Sequence, residues 1–148
     1  MKKLFILFAF VLGTTFSSQV SAQLQFGAGI DLWLEGETSL GLQGKAIYSV
    51  NDKIGVNGSF SYFLSDYLDY SLDVGVQYKV IEGETFSLSP LAGFDMTRVS
   101  VFGFGATSTS LQIGALAELP LGGMNLYVEP KIILNNGSGL VLAAGVLF

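Results

Sequence analysis

The chain has 148 residues, half of them hydrophobic, with 19 Gly, 12 Phe, 6 Tyr, no Cys, no His and a formal charge of −5. That length allows one domain, and the missing Cys excludes disulfides and thiolate metal sites. With no basic patch to neutralise phosphates, a nucleic-acid partner is excluded as well.

The N-terminus reads as an export signal. Lys2 and Lys3 form a basic start, Leu4 to Leu12 is a continuous apolar run, and Val20-Ser21-Ala22 supplies small residues before a cut at Gln23. The apolar run is too short to span a bilayer as a helix. Residues 1–22 are therefore expected to be a cleaved signal peptide and 23–148 the mature domain, with five basic residues against twelve acidic ones.

From Gln23 onward one pattern recurs, an apolar/polar alternation in segments of about ten residues. The first sets Phe26, Ala28, Ile30, Leu32 and Leu34 against Gln25, Gly27, Gly29, Asp31 and Trp33. The second sets Leu40, Leu42, Ala46, Tyr48 and Val50 against Ser39, Gly41, Gln43, Lys45 and Ser49. In the third, Ile54, Val56, Phe60, Tyr62 and Leu64 oppose Gly55, Asn57, Ser59 and Ser61. The fourth places Tyr70, Leu72, Val74, Val76, Tyr78 and Val80 against Ser71, Asp73, Gly75, Gln77 and Lys79.

The fifth runs from Phe86 to Met96 with Pro90 on its apolar side, and the sixth from Leu111 to Leu119 with Gln112, Gly114 and Glu118 opposite. The seventh sets Leu126, Val128, Pro130, Ile132 and Leu134 against Tyr127, Glu129 and Lys131. In the last, Leu140, Leu142, Ala144, Val146 and Phe148 alternate with residues differing in size more than in polarity. Gly inside nearly every segment and a period of 2 argue against helices. Pro90 and Pro130, mid-strand and unable to donate a ladder hydrogen bond, predict a bulge or a locally widened pair at each, with the orphaned carbonyl opposite answered by lumen water or a side chain such as Ser89 or Lys131.

Connections alternate in kind. Asn51-Asp52-Lys53, Glu82-Gly83-Glu84 and Gly122-Gly123-Met124 are tight turns. Glu35 to Glu37, Ser65 to Asp69, Val99 to Ser108 and Asn135 to Ser138 are on average longer. Eight strands with short turns at one end and longer loops at the other is the layout of a bacterial outer-membrane barrel. The fold expected is all-β, an eight-stranded antiparallel up-and-down transmembrane β-barrel. Bulky Phe, Tyr and Leu then face lipid, and Gly, Ser and Ala fill a narrow lumen. Tyr48, Tyr78, Phe86 and Phe148 beside the short turns, with Tyr62, Tyr70 and Phe94 toward the longer loops, make two interfacial girdles. A soluble lipocalin-like carrier would instead line an apolar cavity with the same face.

The export signal, the eight segments of alternating polarity and the terminal Phe148, with Val146 and Ala144 on its face, resemble the small eight-stranded outer-membrane barrels of the OmpA/OmpX type. The resemblance covers 23–148. It implies a Gram-negative cell envelope, export through the periplasm, outer-membrane lipid as surroundings, and Phe148 as the assembly signal read by the barrel-assembly machinery. Residue 146 is Val where that family commonly has an aromatic.

The inward set carries Asp31, Lys45, Asp73, Lys79, Asp95, Glu118, Glu129 and Lys131. Buried charges must pair or bind something, so these are expected to form a lumen charge network that plugs the barrel. An ion or proton path is the alternative. Without His, a Ser–His dyad or triad cannot be built. The acidic residues lack calcium-loop spacing, and no Lys-Ser/Thr or helix follows Gly103-Phe104-Gly105 to make it a phosphate loop. No catalytic residue, metal site or cofactor is expected. Tyr67, Leu68, Phe102 and Phe104 in the longer connections are candidate surface-contact residues, since exposed apolar patches mark contact sites. The Val99–Ser108 segment also fits a plain hairpin extension of its flanking strands. The function expected is a non-enzymatic outer-membrane barrel with a structural or surface-interaction role. A porin-like narrow channel is the alternative, besides the soluble carrier.

Overall fold

The computed structural model describes residues 23–134 and 139–148, so the expected signal peptide and the Asn135–Ser138 connection lie outside the described residues. Among the described residues the strands are β1 (Leu24–Trp33), β2 (Ser39–Ser49), β3 (Ile54–Phe63), β4 (Leu68–Tyr78), β5 (Ile81–Glu82), β6 (Ser87–Val101), β7 (Phe104–Leu121), β8 (Met124–Leu134) and β9 (Gly139–Leu147). Every pairing is antiparallel, and β1–β9 and β4–β6 contacts close the sheet on itself. The two-residue β5 continues β4 along β6, so the closed barrel has eight staves, as the eight alternating segments predict.

Closure is staggered. The register runs from Leu24 through Tyr48, Val56, Val76, Ala92, Ile113, Ile132 and Leu140. It returns to the first stave at Leu34, whose N–H donates to the Leu140 carbonyl at 2.8 Å. This stagger goes with strands tilted about 35–45° from the axis and, for eight strands, an interior just wide enough for side chains to fill. At the other end the last residue completes the seam. The Phe26 N–H donates to the Phe148 carbonyl at 3.1 Å, and the Phe148 N–H donates to the Phe26 carbonyl at 2.8 Å.

The period-2 pattern sorts the faces. Leu42, Val56, Leu72, Val74 and Val76 are exposed, while Lys45, Asp73 and Gln77 are buried. Tyr48, Tyr78, Phe86 and Phe148 are exposed at the short-turn end. Tyr62 and Phe94 are exposed toward the other end, where Phe60 and Tyr70 stack with centroids 5.8 Å apart. The soluble-carrier alternative required the Phe/Leu face to line a cavity. That face points outward.

Three local features depart from, or refine, the sequence expectation. Val99–Ser108 is not a loop: β6 and β7 continue as a ladder to the Val101↔Phe104 pair. Two residues turn the chain there, Phe102 at φ 51° and Gly103 at φ 81°. Gly122 and Gly123 make the corresponding turn between Leu121 and Met124, at φ 47° and 88°. Paired positive φ values suit the twist of a two-residue hairpin. Glycine adopts them freely, whereas a bulky Phe is strained.

Pro90 sits at a bulge. Pairing runs Gln77↔Leu91 and then resumes at Ile81↔Leu88, so three residues oppose two. Lys79 follows the last residue of β4 and keeps the inward phase of Gln77 at the open end of the lumen. It is therefore half-buried at the rim and not enclosed, 3.4 Å from Glu82. Pro130 behaves differently. The β7–β8 ladder lapses between Gly114↔Lys131 and Ala117↔Val128 and resumes in the same register, an opened pair and not a bulge. Neither Ser89 nor Lys131 answers a freed carbonyl: Ser89 Oγ has no partner among the described residues, and Lys131 Nζ turns to Asp73.

The outward assignment predicts that Val74→Arg will destabilise the barrel in phospholipid vesicles by about 2–4 kcal/mol, the cost of a cation near mid-membrane on the lipid face. Reversible urea unfolding followed by tryptophan fluorescence checks this. An unchanged midpoint would mean that Val74 does not face hydrocarbon.

Candidate functional site

The lumen is filled in layers. Nearest the short turns, Ser87 Oγ donates to Glu118 Oε2 at 3.1 Å and Asn57 Nδ2 donates to Gln77 Oε1 at 2.9 Å. Next comes an apolar cluster of Ile47, Leu91, Leu116, Tyr127, Ala143 and Leu147. Glycine opposite makes room for its largest member: a Cβ on Gly29 would meet the Tyr127 hydroxyl at 2.5 Å.

The charged layer follows. Lys45 Nζ, on β2, donates to both oxygens of Glu129, on β8, at 2.9 and 2.8 Å. Lys131 Nζ donates to Asp73 Oδ2 at 2.8 Å and lies 3.6 Å from Glu129 Oε1. Ser59 Oγ donates to the same Asp73 oxygen at 2.8 Å. Asp31 accepts from Gln43 Nε2 at 2.9 Å and from Ser61 Oγ. Tyr127 joins the apolar and charged layers, since its hydroxyl donates to Gln43 Oε1 at 2.5 Å and its ring lies 5.6 Å below Lys45 Nζ.

Of the eight charged positions singled out from the sequence, Asp31, Lys45, Asp73, Glu129 and Lys131 therefore share one layer. Asp95 is the register partner of Asp73 and accepts from Thr97 Oγ1 at 2.5 Å. Two positions stand apart. Glu118 is buried near the short turns with Ser87, and Lys79 is at the rim. The neutral members Gln43, Ser59, Ser61 and Tyr127 were legible only as inward positions of the alternation. Their partners lie on other strands, up to 84 residues away.

Above the charged layer the mouth holds a cavity of about 180 Å³, walled by Trp33, Tyr67, Leu68, Val99 and Ile133, with Asp95 among its lining. The candidate contact residues divide here. Leu68 is buried in the mouth and is no surface residue, because β4 starts at Leu68 with its side chain inward. Tyr67 is half-buried. Its hydroxyl donates to the Glu37 carbonyl at 2.8 Å and lies 3.1 Å from Ser39 Oγ, so it ties two connections together. Phe102 and Phe104 are 97% and 84% exposed at the β6–β7 tip.

Polarity inverts along that hairpin. The line that carries Asp95 and Thr97 in the lumen becomes Val99 and Val101, paired with Ala106 and Phe104. The line that carries Phe94 and Met96 toward lipid becomes Arg98 and Ser100, with Arg98 Nε 3.6 Å and Ser100 Oγ 2.5 Å from Asp69 Oδ2. The lipid-facing belt of β6 thus ends between Met96 and Arg98. Among the described residues no three His, Cys, Asp or Glu side chains converge as a metal site.

Removing Lys45 strands a carboxylate. Lys45→Met should lower stability by about 3–5 kcal/mol, the cost of breaking a buried pair from one side. Adding Glu129→Gln should recover part of it. Tyr127→Phe, losing one hydrogen bond, should cost about 1 kcal/mol. Urea titrations of the four proteins in vesicles measure all of these, and equal midpoints would mean that lumen water already solvates the charges.

No protein-family model and no curated protein matches the chain. Solved structures do. The N-terminal β-barrel domain of Pseudomonas aeruginosa OprF aligns over 85% of this chain and 97% of its own at a TM-score of 0.71 and 13% identity. A de novo designed transmembrane β-barrel aligns over 85% and 93% at 0.66 and 16% identity. The Yersinia pestis outer membrane protein Ail in a phospholipid bilayer nanodisc aligns over 85% and 99% at 0.56 and 19% identity. The chain has the closed fold of the small eight-stranded transmembrane β-barrels.

Proposed function

We propose that the mature chain is a non-enzymatic integral barrel of the Gram-negative outer membrane, sealed across its lumen, with a structural role and a surface-contact role at the β6–β7 tip. One observation carries this reading: the enclosed apolar cluster of Ile47, Leu91, Leu116, Tyr127, Ala143 and Leu147, stacked on the Lys45–Glu129 and Lys131–Asp73 pairs. A lumen packed in this way supports a sealed barrel, and with it structure and contact as roles in preference to conduction. The outward belt and its aromatic rims support lipid as the surroundings. Phe148, held on the seam by Phe26, is in place to serve as the assembly signal. The basic, apolar and small-residue stretches of 1–22 support export through the periplasm with cleavage before Gln23. The absence of His from the whole sequence removes Ser–His chemistry. Phe102 and Phe104 support the contact role, as an exposed aromatic pair beyond the lipid belt in which Phe102 is held at a strained positive φ.

Planar-bilayer recording tests the seal. The purified barrel should give no unitary current steps, whereas steps of reproducible size would replace this reading with the narrow channel. Truncating Leu116 and Leu147 to Ala together should then open small conductances in the otherwise silent barrel. For the tip, Phe102→Ser with Phe104→Ser should leave unfolding within about 0.5 kcal/mol of the parent and lower retention of proteoliposomes on an alkyl-coated surface. Equal retention would remove the tip from the contact role.

A further inference from the structure

The charged layer is unbalanced. Asp31, Asp73, Asp95 and Glu129 are all buried, against the two ammonium groups of Lys45 and Lys131. Lys45 is held by Glu129, and Lys131 by Asp73 and Glu129. Asp95 is 2% exposed, faces Asp73 across the β4–β6 ladder, and has no Lys or Arg within 4 Å among the described residues. Thr97 donates to one of its oxygens, and its carboxyl also shares a hydrogen bond with that of Asp73. Such an excess of enclosed carboxyls is relieved by a proton shared between neighbours or by a positive group brought in from outside. Space for one adjoins it: the mouth cavity of about 180 Å³ has Asp95 in its lining.

The remaining lining says what kind of cation fits. Leu68 and Ile133 are buried apolar walls, Val99 is at the rim, and Trp33 and Tyr67 add aromatic surface that attracts cations. Glu35 adds a second carboxylate and no lining residue is cationic, so an anion is repelled. A divalent metal would want several converging oxygen ligands, and no such triple of ligating side chains exists among the described residues. The volume is below the roughly 300–1,000 Å³ of sites for drug-sized ligands, which limits the occupant to a small molecule.

We propose that the loop-side mouth of the barrel is a binding site for a small organic monoammonium compound, its ammonium on Asp95 and its hydrocarbon body against Trp33, Leu68 and Ile133. Binding gives Asp95 a cationic partner and covers apolar wall at once. The site opens away from the short turns, so it is filled from the loop side whether or not the lumen below conducts.

Trp33 is the single tryptophan of the chain and lines the cavity, so its emission reports directly on occupancy. The folded mature barrel in zwitterionic micelles is titrated with phenethylammonium chloride, with 2-phenylethanol and sodium chloride as matched probes. A saturable change in Trp33 emission is expected with the ammonium compound. The alcohol should bind at least about tenfold more weakly, as expected when a charge-assisted hydrogen bond is lost, and sodium chloride should produce no such change. Asp95→Asn should weaken the ammonium response by about tenfold or more. Val99→Phe, which fills the mouth from a partly exposed rim position and leaves the lumen layer intact, should abolish it, and it serves as the test if the Asp95 variant does not fold. A response that never saturates, equal responses to amine and alcohol, or an unaltered response in Val99→Phe would overturn the proposal.

Discussion

The seam between β1 and β9 is the contact on which everything else rests. In hydrocarbon an unmatched backbone N–H or C=O costs several kcal/mol, so a sheet can cross a membrane only if it has no edge. Here the first and last strands close it, and the Phe26–Phe148 backbone pair extends closure to the final residue. The stagger at which they meet fixes the tilt, and the tilt fixes how wide the interior is. A narrow interior then decides which side chains go in. Gly29 leaves the space that the Tyr127 hydroxyl occupies, and Gly114 leaves space beside the Lys131 side chain.

Once closed, the lumen holds the polar set and the outside holds the apolar one, the reverse of a globular protein. Burying charge in this way is not in itself a source of stability, because desolvation offsets much of the attraction. Its effect is on register. Lys45 and Glu129 are 84 residues apart in sequence and meet only if every intervening ladder is correct. Slipping β2 by one residue would place Lys45 in lipid and Ala46 in the lumen. An apolar filling would tolerate such a slip far better than a lysine that has a single carboxylate to reach.

Above the membrane the same hairpin obeys a different solvent. Past Met96 the outer line of β6 turns polar with Arg98 and Ser100 anchored on Asp69, and the inner line turns apolar with Val99 and Val101. No connection of irregular structure is needed, since the ladder carries its own hydrogen bonds upward to Phe102. The strain of a bulky residue at positive φ is concentrated at that tip, where the side chain meets no packing constraint. The mouth beneath it is closed on one side by Tyr67, from a neighbouring connection, and by Leu68, the first residue of β4, which give the cavity its wall.

The sequence by itself determined the strand number, the face taken along each alternating segment and the girdle positions, because a period of 2 acts locally and needs no partner to be read. It also announced the disturbances at Pro90 and Pro130, since a missing N–H is a property of the residue alone. Tertiary structure decided what those local facts could not. Whether proline makes a bulge or an opened pair depends on how many residues the opposing strand supplies, and Lys79 is at the rim because β4 ends one residue before it. The β6–β7 hairpin was legible in the continuing alternation of Val99–Ser108 as one of two readings. The ladder that runs to Val101↔Phe104 decided between them, since Ser, Thr and Gly there also read as loop composition. Which lysine meets which carboxylate, and that Asp95 is left beside a cavity without one, depends on the stagger of the closed barrel. That stagger is a relation between strands distant in sequence, and no single segment encodes it.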